Sequence, residues 1–280
     1  MITPKQYQKD TLDYLRTYLE EARFGNNAMA FEDHQTESAK RAAPLAYRPL
    51  PELDNVPYVC LRLPTGGGKT LLGAYTISVA AQAFLEQDFP LVLWLVPTNT
   101  IRQQTLETLK NPRHPNREAI TQKFGNQVLV LDVADFTQIR PQDIKGKAVI
   151  LVGTIKFSFR NLLALHRPLV IVDEAHNATS KLSVEVMQRI NPACIIEFTA
   201  TPAANSNILH SVSASELKAA DMIKLPVVLT EHQTWQEAIT AAVQTREKLQ
   251  KLTANERDYI RPIVLFQAED KGHEITMKLF

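Results

Sequence analysis

The stretch Cys60–Tyr75, CLRLPTGGGKTLLGAY, decides how the rest of the chain is read. A short apolar run meets a Thr-Gly-Gly-Gly-Lys-Thr loop, and an apolar pattern of helical spacing follows. A strand-to-helix loop rich in glycine exposes successive backbone N–H groups. Glycine is needed there because bulk would block an anion and because some positions require unusual φ/ψ. The helix N-terminus adds partial positive charge. Thr65, Gly66, Gly67, Gly68, Lys69 and Thr70 therefore read as a nucleotide-binding set. Lys69 can reach the outer phosphates of ATP, and Thr70 can offer its hydroxyl to Mg2+. The usual pattern G-x-x-x-x-G-K-[ST] is not met in full, because Leu63 stands at its first glycine. The competing reading is a glycine-rich turn before an ordinary helix.

Outward from the loop, YVCLRL reads as a buried strand and Lys69–Glu86 as a helix. PLVLWLVPT is apolar on both faces, as a central parallel strand is. Further strands at NQVLVLD, KAVILVGT, PLVIVDEAH and ACIIEFTATP alternate with helical patterns at NTIRQQTLETLK, IKFSFRNLLALH and LSVEVMQRI. Such alternation implies right-handed crossovers and an α/β fold, a parallel sheet with helices on both faces. Residues 5–24 form an opening amphipathic helix, with Tyr7, Leu12, Leu15 and Leu19 near helical spacing. Residues 25–57 lose periodicity, and four prolines in AAPLAYRPLPELDNVP mark an irregular insertion. After Pro202 the pattern loosens. EHQTWQEAITAAVQTREKLQKLTANE is a long helix, and RPIVLFQAED reads as one more strand. The expected organisation is an ATP-binding domain over 1–225, then, over 226–280, a linking helix and the first strand of a second domain.

A nucleotide site also needs an acid for the metal and a base for water. VIVDEAHN supplies both at a strand's carboxyl end, where ligands bind in open α/β sheets. Asp173 would hold Mg2+, and Glu174 would orient and deprotonate the attacking water. The competing reading is a capped turn, since Asp and Glu often start helices.

The composition excludes little. The chain has 280 residues, is 45% hydrophobic and 22% charged, and carries a net charge of +1, so bulk charge does not argue for nucleic acid. Two cysteines, Cys60 and Cys194, lie far apart in apolar surroundings and read as buried thiols of a reducing compartment. The polar start MITPKQYQKD is no signal peptide, and no apolar run reaches the roughly 18 residues of a spanning helix. A cytoplasmic protein with no membrane association is expected.

Together the Thr-Gly-Gly-Gly-Lys-Thr loop, Asp-Glu-Ala-His and Thr-Ala-Thr, in this order, resemble superfamily 2 helicases and translocases. The variants LRLPTGGGKT, WLVPTNTIRQQ, VDEAHN and EFTATP look most like the helicase subunit of type III restriction enzymes, and so does SNILHSVSASELKAADMIKLPV. The likeness covers roughly Lys5 to Pro226, and weakly the strand near Ile263–Phe266. It implies a P-loop NTPase of RecA-like fold, the first of two motor lobes, with ATP and Mg2+ as cofactors and nucleic acid, DNA before RNA, as partner. By the same resemblance Gln8 reads adenine, against the alternative of a solvent-facing helix glutamine. Pro97, Thr98 and Thr154 contact the nucleic-acid backbone, against the alternative that such threonines only cap helices. Thr199 and Thr201 couple hydrolysis to strand movement, and His176 touches them from the acidic box, against a buried structural histidine.

The chain departs from this family pattern at its end. The glutamine-and-arginine motif of the second lobe and a nuclease signature are absent from these residues, so the chain is expected to be part of something longer. It would act with the missing lobe and with a modification, specificity or defence-complex subunit, and alone it would bind nucleotide but hydrolyse it slowly. Two other readings stay open: an RNA helicase, and a nucleotide-gated interaction module without motor activity. Arg102, Lys110, Arg113 and Arg117 read equally as a phosphate-binding stretch or a solvated face. Trp94 and Trp235 read as packing residues.

Overall fold

A computed structural model of the chain describes residues 3–42, 46–138, 142, 145–154, 166–173, 181–222, 230–253 and 261–266. The chain divides into two units, Met1–Lys224 and Leu225–Phe280.

The first unit is built on seven strands: β1 (Tyr58–Arg62), β2 (Leu91–Val96), β3 (Val128–Asp132), β4 (Ala148–Thr154), β5 (Leu169–Asp173), β6 (Cys194–Thr199) and β7 (Ile208–Ser211). They form one sheet in the order β3-β4-β2-β5-β6-β1-β7, and every described pairing is parallel. This is the RecA-like P-loop architecture that the sequence implies. Parallel pairing requires cover on both faces, because crossovers place helices on each. Successive side chains of β2 accordingly part. Val92, Trp94 and Val96 join one buried cluster, while Leu93 and Leu95 join another.

The helices of this unit are α1 (Gln6–Ala22), α2 (Asn27–His34), α3 (Glu37–Ala42), α4 (Lys69–Ala80), α5 (Asn99–Lys110), α6 (Pro115–Phe124), α7 (Lys181–Ile190) and α8 (Ala214–Ala219). α1, α4, α5 and α6 cover the first face through Leu15, Leu19, Leu72, Ile77, Leu109 and Ile120. Met187 and Ile190 of α7 cover the second. α4 seats closely on β2: a Cβ on Gly73 would lie 2.7 Å from the Trp94 ring, so only glycine allows this approach. Trp94 is fully buried, as its packing role requires.

The structure corrects three expectations. Residues 25–57 are not irregular throughout. α2 and α3 lie there, Ala30, Phe31 and Ala39 are buried, and the linker between the helices seals the sheet edge. Gln35 Nε2 donates to the Ile208 carbonyl at 2.9 Å, and the Thr36 N–H donates to that of Leu209 at 3.0 Å. Helices of eight and six residues are too short to show clear periodicity, and tertiary packing holds them. β7 is a strand in a region the sequence pattern leaves loose, a four-residue edge strand beside β1.

The third correction concerns the second unit. There α9 (Trp235–Thr253) forms as expected, yet Arg261–Phe266 belongs to no described strand ladder. Ile263 and Leu265 are 84% and 88% exposed. An apolar run becomes a strand only when a neighbour takes its backbone N–H and C=O groups.

Candidate nucleotide-binding site

The phosphate loop leaves β1 at Leu63 and enters α4 at Lys69. Gly66 and Gly68 have φ of +85° and +75°, the left-handed region that side chains resist. A Cβ on Gly68 would also lie 2.7 Å from Gln8 Nε2, so glycine is required there twice over. The Gly67 N–H donates to the Pro64 carbonyl at 3.0 Å, which tightens the turn. Leu63, in place of the usual first glycine, is fully buried in the core, and its N–H donates to the Thr199 carbonyl at 3.0 Å. The departure from the common pattern is thus a packing residue that anchors the loop to β6.

Lys69 opens α4 and is 8% exposed, so its side chain lies within the loop region instead of in solvent. Thr70 Oγ1 donates to Asp173 Oδ2 at 3.0 Å. Asp173 ends β5, and Thr199 ends β6, the strand between β5 and β1. Sheet order therefore brings Thr70, Asp173 and the Thr199-Ala200-Thr201 turn to one edge. Thr199 is buried and its Oγ1 accepts from the Thr201 N–H at 3.1 Å, closing that turn, while Thr201 is exposed. Arg62 Nε reaches the Ala200 carbonyl at 3.5 Å. A threonine hydroxyl and a carboxylate in contact at the mouth of the loop are hard oxygen donors, the set that suits Mg2+ with phosphates. Glu174 and His176 lie outside the described residues.

Gln8 is buried, which rules out a solvent-facing side chain. Its Oε1 accepts from the Lys5 N–H at 2.9 Å, and its Nε2 donates to the Gly67 carbonyl at 3.4 Å. Pro97 and Thr98 follow β2, and Thr154 ends β4 directly beside Val96. The three residues thus share one stretch of the same sheet edge. Thr98 is exposed, but its Oγ1 caps α5 by accepting from the Ile101 N–H at 3.3 Å. A cavity of about 850 Å3 lies elsewhere, lined by Asp10, Asp13, Asp33 and Glu216 among others and by no residue of the phosphate loop. Its carboxylates give it the wrong sign for a polyphosphate.

The family model described as "Type III restriction enzyme, res subunit" matches residues 1–204. The chain belongs to this family. As a restriction-subunit relative it carries a helicase-family domain, and its fold is similar to that of several solved proteins. The UvsW helicase from bacteriophage T4 is 15% identical over 79% of this chain and 58% of that one, with a TM-score of 0.39. A nuclease-deletion mutant of the type ISP restriction-modification enzyme LlaGI, solved with a DNA substrate mimic, is 11% identical over 91% and 23%, at 0.43. The Pyrococcus furiosus Hef helicase domain is 18% identical over 70% and 44%, at 0.38. The restriction-subunit relative thus spans less than two thirds of each. No curated protein matches it.

Several residues at the loop carry no signal of their role in the sequence of this family member. Tyr7, counted only as an apolar helix position, donates its hydroxyl to the Gly67 carbonyl at 3.0 Å. Leu217 of α8 and the Met222 carbonyl approach the loop, at 3.6 and 3.9 Å from where Cβ atoms on Gly67 and Gly66 would stand. Of the four basic residues after Thr98, Arg102 pairs with Asp132 at 2.6 Å and Arg117 donates to the Leu109 and Val128 carbonyls. Both are structural, which leaves Lys110 and Arg113 exposed.

Proposed function

We propose that this chain is the first motor lobe of an ATP-dependent DNA helicase or translocase of restriction or defence type. The bond between Thr70 and Asp173 carries the reading, because it joins the phosphate loop to the acidic strand end across an intervening strand. Loop N–H groups and Lys69 bind the phosphates of ATP, and Thr70 and Asp173 hold Mg2+. The bound ion would neutralise phosphate charge. Glu174, next in the chain, orients and deprotonates the attacking water, and His176 acts with it in turnover. Gln8 recognises adenine. Thr199 and Thr201 couple turnover to movement, and Pro97, Thr98 and Thr154 face the nucleic-acid backbone with little base readout. Residues 226–280 lead into a second RecA-like lobe, and the whole acts in the cytoplasm with a modification or specificity subunit. Without that lobe, turnover is slow, because charge-stabilising arginines come from it.

The test is ATP hydrolysis by the native-length protein with duplex DNA, single-stranded DNA and RNA compared. Stimulation by DNA supports the proposal. Stimulation by RNA alone moves the protein to the RNA helicases, and indifference to all three makes the loop a nucleotide-gated module.

A further inference from the structure

We infer that Tyr7 is a positioning residue of the phosphate loop, whose hydroxyl fixes the Gly67–Gly68 peptide so that the Gly68 N–H faces a bound polyphosphate. The inference rests on the proposal that this loop binds nucleotide.

In a trans peptide the C=O and N–H point in opposite directions. The Gly67 carbonyl is turned toward α1, where it accepts from Tyr7 at 3.0 Å and more weakly from Gln8 at 3.4 Å. The N–H of the same peptide belongs to Gly68 and is therefore turned away from α1. Gly68 is the N-cap of α4, the place where backbone N–H groups meet an anion. This peptide, like the Gly66–Gly67 peptide before it, is also prone to flip. Both its flanking residues are glycine, so no Cβ resists rotation of the ψ before it or the φ after it. A flip would aim a carbonyl oxygen at the phosphates in place of a donor.

The Tyr7 hydroxyl opposes that flip. Tyr7 is 5% exposed, its ring is part of the core cluster, and burial raises the phenol's pKa, so it remains a donor. Phenylalanine would fill the same core position. The hydroxyl is the part that serves the loop.

The test uses Tyr7→Phe and Gln8→Ala in the whole chain. Each is titrated with a fluorescent ATP analogue in Mg2+ and competed with ATP or with inorganic tripolyphosphate. Tyr7→Phe is expected to weaken ATP and tripolyphosphate alike, by roughly tenfold for one lost hydrogen bond. Gln8→Ala should weaken tripolyphosphate less. Unchanged affinities in Tyr7→Phe would overturn the inference. So would a loss confined to ATP, since the hydroxyl would then serve the base and not the phosphates. Absence of nucleotide binding by the wild-type chain would instead overturn the nucleotide reading, and this inference with it. In the wild-type chain the Gly68 amide resonance should shift on adding tripolyphosphate. A Gly68 amide that does not respond also overturns the inference, even if Tyr7→Phe fails to fold.

Discussion

Thr70 and Asp173, 103 residues apart in sequence, are joined by a 3.0 Å hydrogen bond from Oγ1 to Oδ2. The bond spans β6 and sets a carboxylate at the start of α4. Asp173→Asn keeps the acceptor oxygen and removes the charge. The fold should persist, and ATP hydrolysis should fall by about 10²–10³-fold, the usual cost of losing one preorganised electrostatic group. Chelation of Mg2+ should abolish turnover in the wild type. Steady-state ATPase assays with and without EDTA check both.

Gly68→Ala places a Cβ at φ +75° and 2.7 Å from Gln8 Nε2. Left-handed strain of about 1–2 kcal/mol adds to displacement of Gln8. The melting temperature should drop by roughly 2–8 °C, and nucleotide affinity should fall with it. Calorimetry and a binding titration report the two effects separately.

Glu197 is buried in β6 beside Cys60 of the neighbouring strand β1, and Tyr58 donates to its Oε2 at 3.0 Å. Burial raises its pKa to about 7, although hydrogen bonds from Tyr58 and Ser206 pull it down. The folded state therefore holds this proton more tightly than the unfolded chain does. Its stabilising contribution is fully present below about pH 4.5 and is lost as pH rises through about 7. Linkage over that interval amounts to roughly 3 kcal/mol. Glu197→Gln should flatten the profile and make the protein more stable than wild type at pH 8. Urea titrations at pH 5 and pH 8 decide it.

Phe31 of α2 is 1% exposed although it lies in a stretch that reads as loop. Phe31→Ala should cost about 3–5 kcal/mol, the usual penalty for emptying a core aromatic site. A surface connection would lose under about 0.5 kcal/mol. Urea unfolding distinguishes these values.

The parts of the fold that sequence exposes are those with strong local signals. β2 and β5 are apolar on both faces, and three glycines before Lys69 mark the loop. Asp173 is legible because it ends such a strand. The missed parts depend on distant partners. β7 has four residues and exists because β1 pairs with it. α2 and α3 are held by packing, whereas Arg261–Phe266 has apolar composition without a described neighbour strand. Tyr7 looks like a core residue from its spacing, and its hydroxyl finds Gly67 only once α1 packs across 60 residues of chain. Arg102 looks like a free cation until β3 brings Asp132 beside it.

The most direct test of the nucleotide-driven motor reading compares wild type, Lys69→Ala and Glu174→Gln for ATP binding and for hydrolysis. Lys69→Ala should lose nucleotide binding. Glu174→Gln should bind ATP as wild type does and fail to hydrolyse it. Hydrolysis at the wild-type rate by both variants would show that this loop and acidic strand end do not form the ATPase site.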